Sequence, residues 1–155
     1  MTLNDHWGFC DGDENHKSTQ HLVHLLARSA SAGSNYLLNV GPTALGEILP
    51  EHARRLRDVG AWLKVNGESI YATRAGTLAS TANTVSTRNG ATHYVHALNY
   101  ISDSITLKGA PKGLRHAALL RDGAAVDMKW NGDDLLLTIA PAHRDSLDTV
   151  VKLTE

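Results

Sequence analysis

Cysteine and long apolar runs are the scarcest features of this 155-residue sequence. A single cysteine, Cys10, excludes an intrachain disulfide framework, so we expect a free thiol in a reducing compartment. No apolar run approaches the ~20 residues that are needed to cross a bilayer. The first residues carry neither the basic region nor the apolar core of a signal peptide. The default expectation is a cytoplasmic protein without a membrane partner.

An excess of charge of either sign is also missing. There are 15 basic and 16 acidic side chains, and the formal net charge is -1. A strong electrostatic attraction to nucleic acid or to an anionic membrane is therefore not expected. The length suits one domain, or a small domain with a subdomain, and is too short for a complete (β/α)8 barrel.

The first half of the chain has helical periodicity. Residues 18–32 combine an N-cap candidate, Ser18, with apolar residues at spacings of three and four, and Gly33 follows as a stop. Pro50 begins a second helix, which Gly67 ends. Residues 1–16 are polar and aromatic and read as a loop, after a short strand that ends near Asn4.

After about residue 71 the pattern changes to short alternating segments. Strand candidates cover residues 76–81, 92–99, 104–108, 114–120, 126–130, 134–140 and 149–153. Turn signals separate them, and Asn89-Gly90 and Asn131-Gly132 are strong hairpin signals. We predict an α+β protein, with a βα segment at residues 1–72 and an antiparallel β-sandwich at residues 73–155.

The most informative stretch lies between the two predicted helices. Residues 36–40 form a short apolar run that Gly41 and Pro42 end. Such a run predicts a strand buried on both faces, as in a parallel sheet. Because polar residues at the C-terminal ends of such strands usually belong to a site, Asn39 is a site candidate.

Three motifs in this order resemble the α-L-fucosidases of glycoside hydrolase family 29. Residues 4–9 (NDHWGF) resemble a loop beside the sugar pocket, residues 35–43 (NYLLNVGPT) the last barrel strand, and residues 62–71 (WLKVNGESIY) the exit from the barrel. The resemblance implies that residues 1–72 are the end of a catalytic barrel and that the rest is the family's C-terminal sandwich.

The resemblance also implies a retaining mechanism with an Asp nucleophile and an acid/base carboxylate. The family's nucleophile and acid/base have no counterpart in this sequence, and Phe9 stands where the family usually has Tyr. Retaining hydrolysis needs two carboxyl groups about 5–5.5 Å apart. The only dense carboxylate cluster is Asp11, Asp13 and Glu14, which are the catalytic candidates. The alternative is a solvated acidic loop before a helix.

His6, Trp7 and Asn39 are the candidates for substrate binding. The Trp7 ring is suited to stacking on a sugar and His6 to binding hydroxyls. The alternatives are a packing aromatic, a surface histidine and a structural asparagine. Asp11 and Asp13 have the spacing of a calcium loop, but the downstream Gly and Glu are missing, so we expect neither a metal nor a cofactor.

Two functions follow from this interpretation. The first is an α-L-fucosidase-like hydrolase acting on fucosylated glycans or aryl fucosides, whose two carboxylates would be combined across subunits. The second is a non-catalytic carbohydrate-binding or structural sandwich module. A truncated barrel would expose apolar helix faces and unpaired strand edges, so we expect a homo-oligomer through those surfaces.

Overall fold

The computed structural model describes residues 1–78, 81–99 and 104–155. Two α-helices, α1 (Thr19–Ser31) and α2 (Pro50–Asn66), come before the strands, and a single 3-10 turn at Gly67–Ser69 follows α2. None of the helices in these residues is long and apolar enough to cross a membrane.

Both helices have the ends that the sequence predicts. The Ser18 side chain accepts a hydrogen bond from the backbone N–H of His21 at 3.1 Å and caps α1. Gly33 follows α1 with a φ of 69°, a left-handed conformation that glycine adopts without steric cost. Pro50 occupies the first turn of α2, where its missing N–H has no intrahelical partner to lose.

The described residues contain eight strands in two antiparallel sheets. One sheet has the order β1-β2-β3-β8-β5 and the other has the order β4-β7-β6. The strands are β1 (Arg74–Ala75), β2 (Thr84–Asn89), β3 (Thr92–Ala97), β4 (Ser104–Leu107), β5 (His116–Leu119), β6 (Asp127–Asn131), β7 (Asp134–Thr138) and β8 (Thr149–Thr154).

The two sheets enclose a buried apolar cluster, here called the sandwich core. Alternation along the strands sends every second side chain to this face, so Val95 of β3 pairs with Val151 of β8 and both are buried. The sandwich core consists of Leu78, Val95, Ala97, Ile105, Leu107, Ala110, Leu114, Leu119, Val126, Leu135, Leu137, Ile139, Val151 and Leu153.

The helices cover the opposite face of the five-stranded sheet. Tyr94 and Val150, whose neighbours in sequence face the sandwich core, join the helices in a second cluster, here called the helix core. Its buried members are Leu3, Leu22, Val23, Val59, Trp62, Tyr94 and Val150. The predicted α+β class is therefore confirmed, with a sandwich whose larger sheet carries helices on its outer face.

The prediction of a strand buried on both faces at residues 36–40 is wrong. This segment makes a single parallel bridge, Asn39 to Thr2, and Leu37 is 70% exposed. Leu38 and Val40 pack against the helix core. The helices therefore cover the segment on one face.

Most of the predicted strands agree with the observed ones, and β1 and β2 are the exceptions. No predicted segment covers β1. The sequence placed a strand at residues 76–81, of which residues 79 and 80 lie outside the described residues, whereas the observed strand is Thr84–Asn89. Both predicted Asn-Gly hairpins form, and Gly90 and Gly132 each have a φ of 59°. The boundary between residues 72 and 73 stays a prediction, since the helix core joins the two parts.

Candidate functional site

The N-terminal loop and the segment around Asn39 lie against each other. The backbone N–H of Asn39 donates to the carbonyl of Met1 at 2.9 Å, beside the parallel bridge to Thr2. The Asn39 side-chain amide donates through Nδ2 to the backbone carbonyl of Trp7. Two of the three predicted substrate-binding residues, Trp7 and Asn39, are thus joined directly.

Gly41 continues this contact two residues later. It is buried, and a methyl group added to its Cα would lie 2.7 Å from the carbonyl carbon and oxygen of Gly8 and 2.9 Å from the backbone nitrogen of Phe9. Real Cβ atoms do not come this close to backbone atoms, so only glycine allows the two segments this separation.

Asp13 holds the other side of the loop. Its Oδ2 lies 2.6 Å from Nδ1 of His6 and accepts the Asp5 backbone N–H at 3.1 Å. Its Oδ1 accepts the Asn15 backbone N–H at 3.2 Å. The hydrogen bond with His6, followed by the bonds from the Asn15 and Asp5 backbones, lowers the pKa of the Asp13 carboxyl. The carboxylate therefore organises the third predicted substrate-binding residue, His6.

Further hydrogen bonds close the loop. The Asn15 side-chain amide donates to Oδ2 of Asp5 at 2.8 Å, and Nζ of Lys17 donates to the carbonyl of Asn4 at 2.6 Å. The Lys17 backbone N–H donates to the carbonyl of Leu3, which is fully buried in the helix core. Residues 3–17 thus form a closed loop whose two ends meet at the protein's interior.

Two side chains on this loop are open to solvent although their backbone is held. Trp7 is 60% exposed, and the His6 side chain is 58% exposed. Asp13, by contrast, has a side chain that is only 4% exposed. A ligand can therefore reach the indole ring and the imidazole, while the carboxylate that orients His6 is shielded from solvent.

The three catalytic candidates are placed differently from one another. Asp11 and Glu14 are exposed on the loop, whereas both carboxylate oxygens of Asp13 accept hydrogen bonds within it. Their catalytic role stays a prediction. The sequence analysis did not identify Asp5 and Asn15 as residues that hold the loop together. The Asp13-x-Asn15 spacing is typical of an Asx turn and could have predicted the hydrogen bond between Asp13 and the Asn15 backbone.

In the part of the chain that the structure describes, neither a metal site nor Trp130 of the sandwich adds a group to this site. Within the described ranges, no group of three His, Cys, Asp or Glu side chains is arranged to hold a metal ion. Trp130 of β6 packs partly against the sandwich core, and Nζ of Lys112 lies 4.7 Å from its ring centroid. A cation–π contact therefore already uses the Trp130 ring.

The comparison with protein families matches the family described as Alpha-L-fucosidase over residues 1–68. The bovine tissue alpha-L-fucosidase is 36% identical over 142 residues, which are 86% of this chain and 30% of that protein. The mouse tissue alpha-L-fucosidase is 35% identical over 117 residues, or 74% of this chain and 26% of that protein. This chain belongs to the α-L-fucosidase family.

Solved fucosidase structures agree with this assignment over 99% of the chain. Isoenzyme 1 of the alpha-L-fucosidase from Paenibacillus thiaminolyticus superimposes with a TM-score of 0.91 at 36% identity, and 38% of that protein is covered. A Thermotoga maritima alpha-fucosidase in complex with fucose gives a TM-score of 0.85 at 25% identity, with 39% of it covered. The chain therefore spans less than half the length of the fucosidases that it matches.

Proposed function

We propose that this protein hydrolyses terminal α-L-fucosyl linkages in fucosylated glycans or aryl fucosides, and that residues 3–17 form one wall of its fucose site. The observation that carries the proposal is the loop itself. The consecutive residues His6 and Trp7 are both exposed. Asp13 forms a hydrogen bond with His6, and Asn39 forms one with the backbone of Trp7. The fold around this loop matches solved fucosidases with a TM-score of 0.91.

The chemistry of the two exposed groups suits a deoxy sugar. An indole ring provides a flat apolar surface for C–H groups and for the methyl group of fucose. The imidazole of His6 has Nδ1 engaged by Asp13, so Nε2 is left to contact a sugar hydroxyl. His6 and Trp7 therefore serve binding, Asn39 holds the loop that carries Trp7, and the reaction itself requires carboxyl groups.

Asp13 is poorly suited to act as the general acid. A general acid must hold a proton near neutral pH, which requires a raised pKa. The pKa of Asp13 is lowered, chiefly by the hydrogen bond with His6. We assign Asp13 to holding the loop, so that Asp11 and Glu14, combined across subunits, are the remaining candidates for the catalytic carboxyl pair.

The test is release of nitrophenol from an aryl α-L-fucoside by the purified 155-residue protein. We expect turnover that falls at least tenfold in Trp7→Ala and in either Asp11→Asn or Glu14→Gln. Glu47→Gln, which changes an exposed carboxyl on another loop, is the control and should leave turnover unchanged. Turnover that persists in the double variant Asp11→Asn, Glu14→Gln would contradict the assignment of these carboxyl groups.

A second candidate function is fucose binding without catalysis. It is favoured by the engagement of Asp13, the least exposed of the three candidate carboxylates, in hydrogen bonds within its own loop. A fucose titration followed by calorimetry, with no nitrophenol release at any protein concentration, would support this second function. Loss of that binding in Trp7→Ala would place the binding site on the loop rather than on the sandwich.

A further inference from the structure

We infer that Asn39 and Gly41 are positioning residues that hold the Trp7 ring ready for the sugar, and that Asn39 does not itself bind the sugar. This inference rests on the proposed fucose site and assigns to the segment after residue 38 a role within it. The two residues contact the loop on consecutive backbone units: Asn39 at the Trp7 carbonyl, and Gly41 at Gly8 and the nitrogen of Phe9.

The two kinds of hydrogen-bond donor on Asn39, its side-chain amide and its backbone N–H, are both used within the protein. Its side-chain Nδ2 donates to the carbonyl of Trp7, and its backbone N–H donates to the carbonyl of Met1. Asn39 is itself only partly exposed, whereas Trp7 is 60% exposed. An amide that bridges two segments in this way fixes the backbone of Trp7 and leaves the contact with a ligand to the ring.

Gly41 adds a steric requirement that is independent of the hydrogen bond. Because its φ is not in the left-handed region, a methyl group at this position would cause no backbone strain of its own. The methyl group would instead collide with the carbonyl of Gly8 at 2.7 Å. Any side chain at residue 41 must therefore push the loop away and move the residue just before Gly8, which is Trp7.

The reason to hold Trp7 at two points is entropic. An exposed indole on a free loop would lose conformational freedom when a sugar stacks on it, and that loss would weaken binding. Asp13 restrains the loop before Trp7, through Asp5 and His6, while Asn39 and Gly41 restrain it at Trp7 and after it. The backbone that carries the ring is thus held on both sides of Trp7 in the absence of ligand.

The structure offers matched control variants. Gly8→Ala also adds one methyl group where the two segments meet, but on the side that faces open space. A methyl group on Gly8 meets no atom within 4 Å, and the φ of Gly8 is not left-handed. Asn35→Ala removes an exposed amide four residues before Asn39. Asn39→Asp keeps the shape of the side chain but replaces the donor with an oxygen that repels the Trp7 carbonyl.

The experiment labels the protein with 5-fluorotryptophan and records the fluorine NMR spectrum with and without fucose. The protein has three tryptophans, and the Trp7 signal is assigned by its loss in Trp7→Phe. In the ligand-free protein, Gly41→Ala, Asn39→Ala and Asn39→Asp should shift or broaden the Trp7 signal. The signals of Trp62 and Trp130 should stay in place, and Gly8→Ala and Asn35→Ala should change none of the three.

Fucose affinity is measured on the same samples. Loss of one hydrogen bond should weaken binding by about fivefold, with a larger loss in Asn39→Asp than in Asn39→Ala. Weakened binding with an unmoved Trp7 signal would overturn the inference, because Asn39 would then contact the sugar directly. A wild-type protein that binds no fucose would overturn the proposed function, and the ligand-free Trp7 signal alone would then decide whether Asn39 and Gly41 position the ring.

Discussion

The helical part of the molecule and the sandwich differ in how completely they bury their apolar side chains. Among the described residues, the large apolar side chains that are exposed all lie at or before residue 71: Met1, Trp7, Phe9, Leu37, Leu45, Ile48, Val65 and Tyr71. The sandwich core, by contrast, fills the space between two sheets. In the sandwich, the apolar face of each sheet packs against the other sheet. In the helical part, apolar side chains pack against the five-stranded sheet on one side and are exposed on the other.

Because of this difference, we expect stability to depend mainly on the sandwich and binding to depend mainly on the helical part. A buried core residue contributes to the free energy of unfolding through removal of its surface from water. An exposed apolar residue contributes little to that free energy but is available to a ligand or to another chain. We therefore expect substitutions in the sandwich to change stability, and substitutions on the exposed surface of residues 1–48 to change binding and association.

Leu137→Ala should have the largest effect, because this side chain is fully buried at the centre of β7, between β4 and β6. We expect the free energy of unfolding to fall by about 3 kcal/mol in urea denaturation followed by circular dichroism. Leu45→Ala, at a residue that is 86% exposed, is the control and should change it by less than about 0.5 kcal/mol. Equal effects would contradict the comparison of the two regions.

Asp148→Ala should rank second. Its Oδ2 lies 2.7 Å from Nδ1 of His96, and both side chains are fully buried where the helices meet the sheet. Removing the carboxylate leaves a buried imidazole without its partner, which should cost about 2 kcal/mol in the same measurement. Asp127→Ala, at an exposed position in β6, should be close to neutral. If Asp148→Ala were also neutral, the buried pair would not contribute to the stability of the fold.

The pH dependence of stability should reveal the buried histidines of the helical part. Burial, followed by the neighbouring charges of His16 and Arg55, lowers the pKa of His52, while the nearby Asp13 acts in the opposite direction. Below about pH 6.5 the His52 side chain is protonated in the unfolded chain but stays neutral in the folded protein. The free energy of unfolding is therefore highest above that pH and decreases as the pH falls.

The corresponding measurement is the melting temperature between pH 7.5 and 5.5. His52→Gln should reduce the loss of stability on acidification by less than about 1 kcal/mol, because burial also lowers the pKa values of His24 and His93. His116→Gln, at an exposed position in β5, is the control and should leave the pH profile unchanged. A His52→Gln profile that matches the wild type would mean that His52 titrates normally in the folded state.

Leu37→Ser should have the smallest effect on stability and a distinct effect on association. Leu37 is 70% exposed beside the single bridge between Asn39 and Thr2, a position suited to pairing with another chain. We expect the molar mass from light scattering at micromolar concentration to decrease in Leu37→Ser, with the melting temperature unchanged. Lys129→Ser on the sandwich is the control, and a monomeric wild type would rule out the predicted homo-oligomer.

Local signals in the sequence were sufficient for the helices and hairpins. Ser18 and Gly33 define the ends of α1, Pro50 begins α2, and Asn-Gly turns set two hairpins, because each of these residues acts through its own backbone geometry. Local signals do not indicate which face of α2 is buried. The polar His52 and Asn66 are buried and Gly60 is exposed, because tertiary packing decides how far a helix is rotated.

The sequence by itself determined the class and the family, and it predicted the residues on which a sugar site would depend. Only the tertiary structure decided that Asn39 reaches the Trp7 carbonyl, 32 residues away, that Gly41 touches Gly8, and that Asp13 holds His6. It also decided that residues 36–40 are covered on one face, with Leu37 left outside. The physical reason is that propensities and turns are properties of neighbouring residues, whereas burial and hydrogen bonds across long separations depend on which segments pack together.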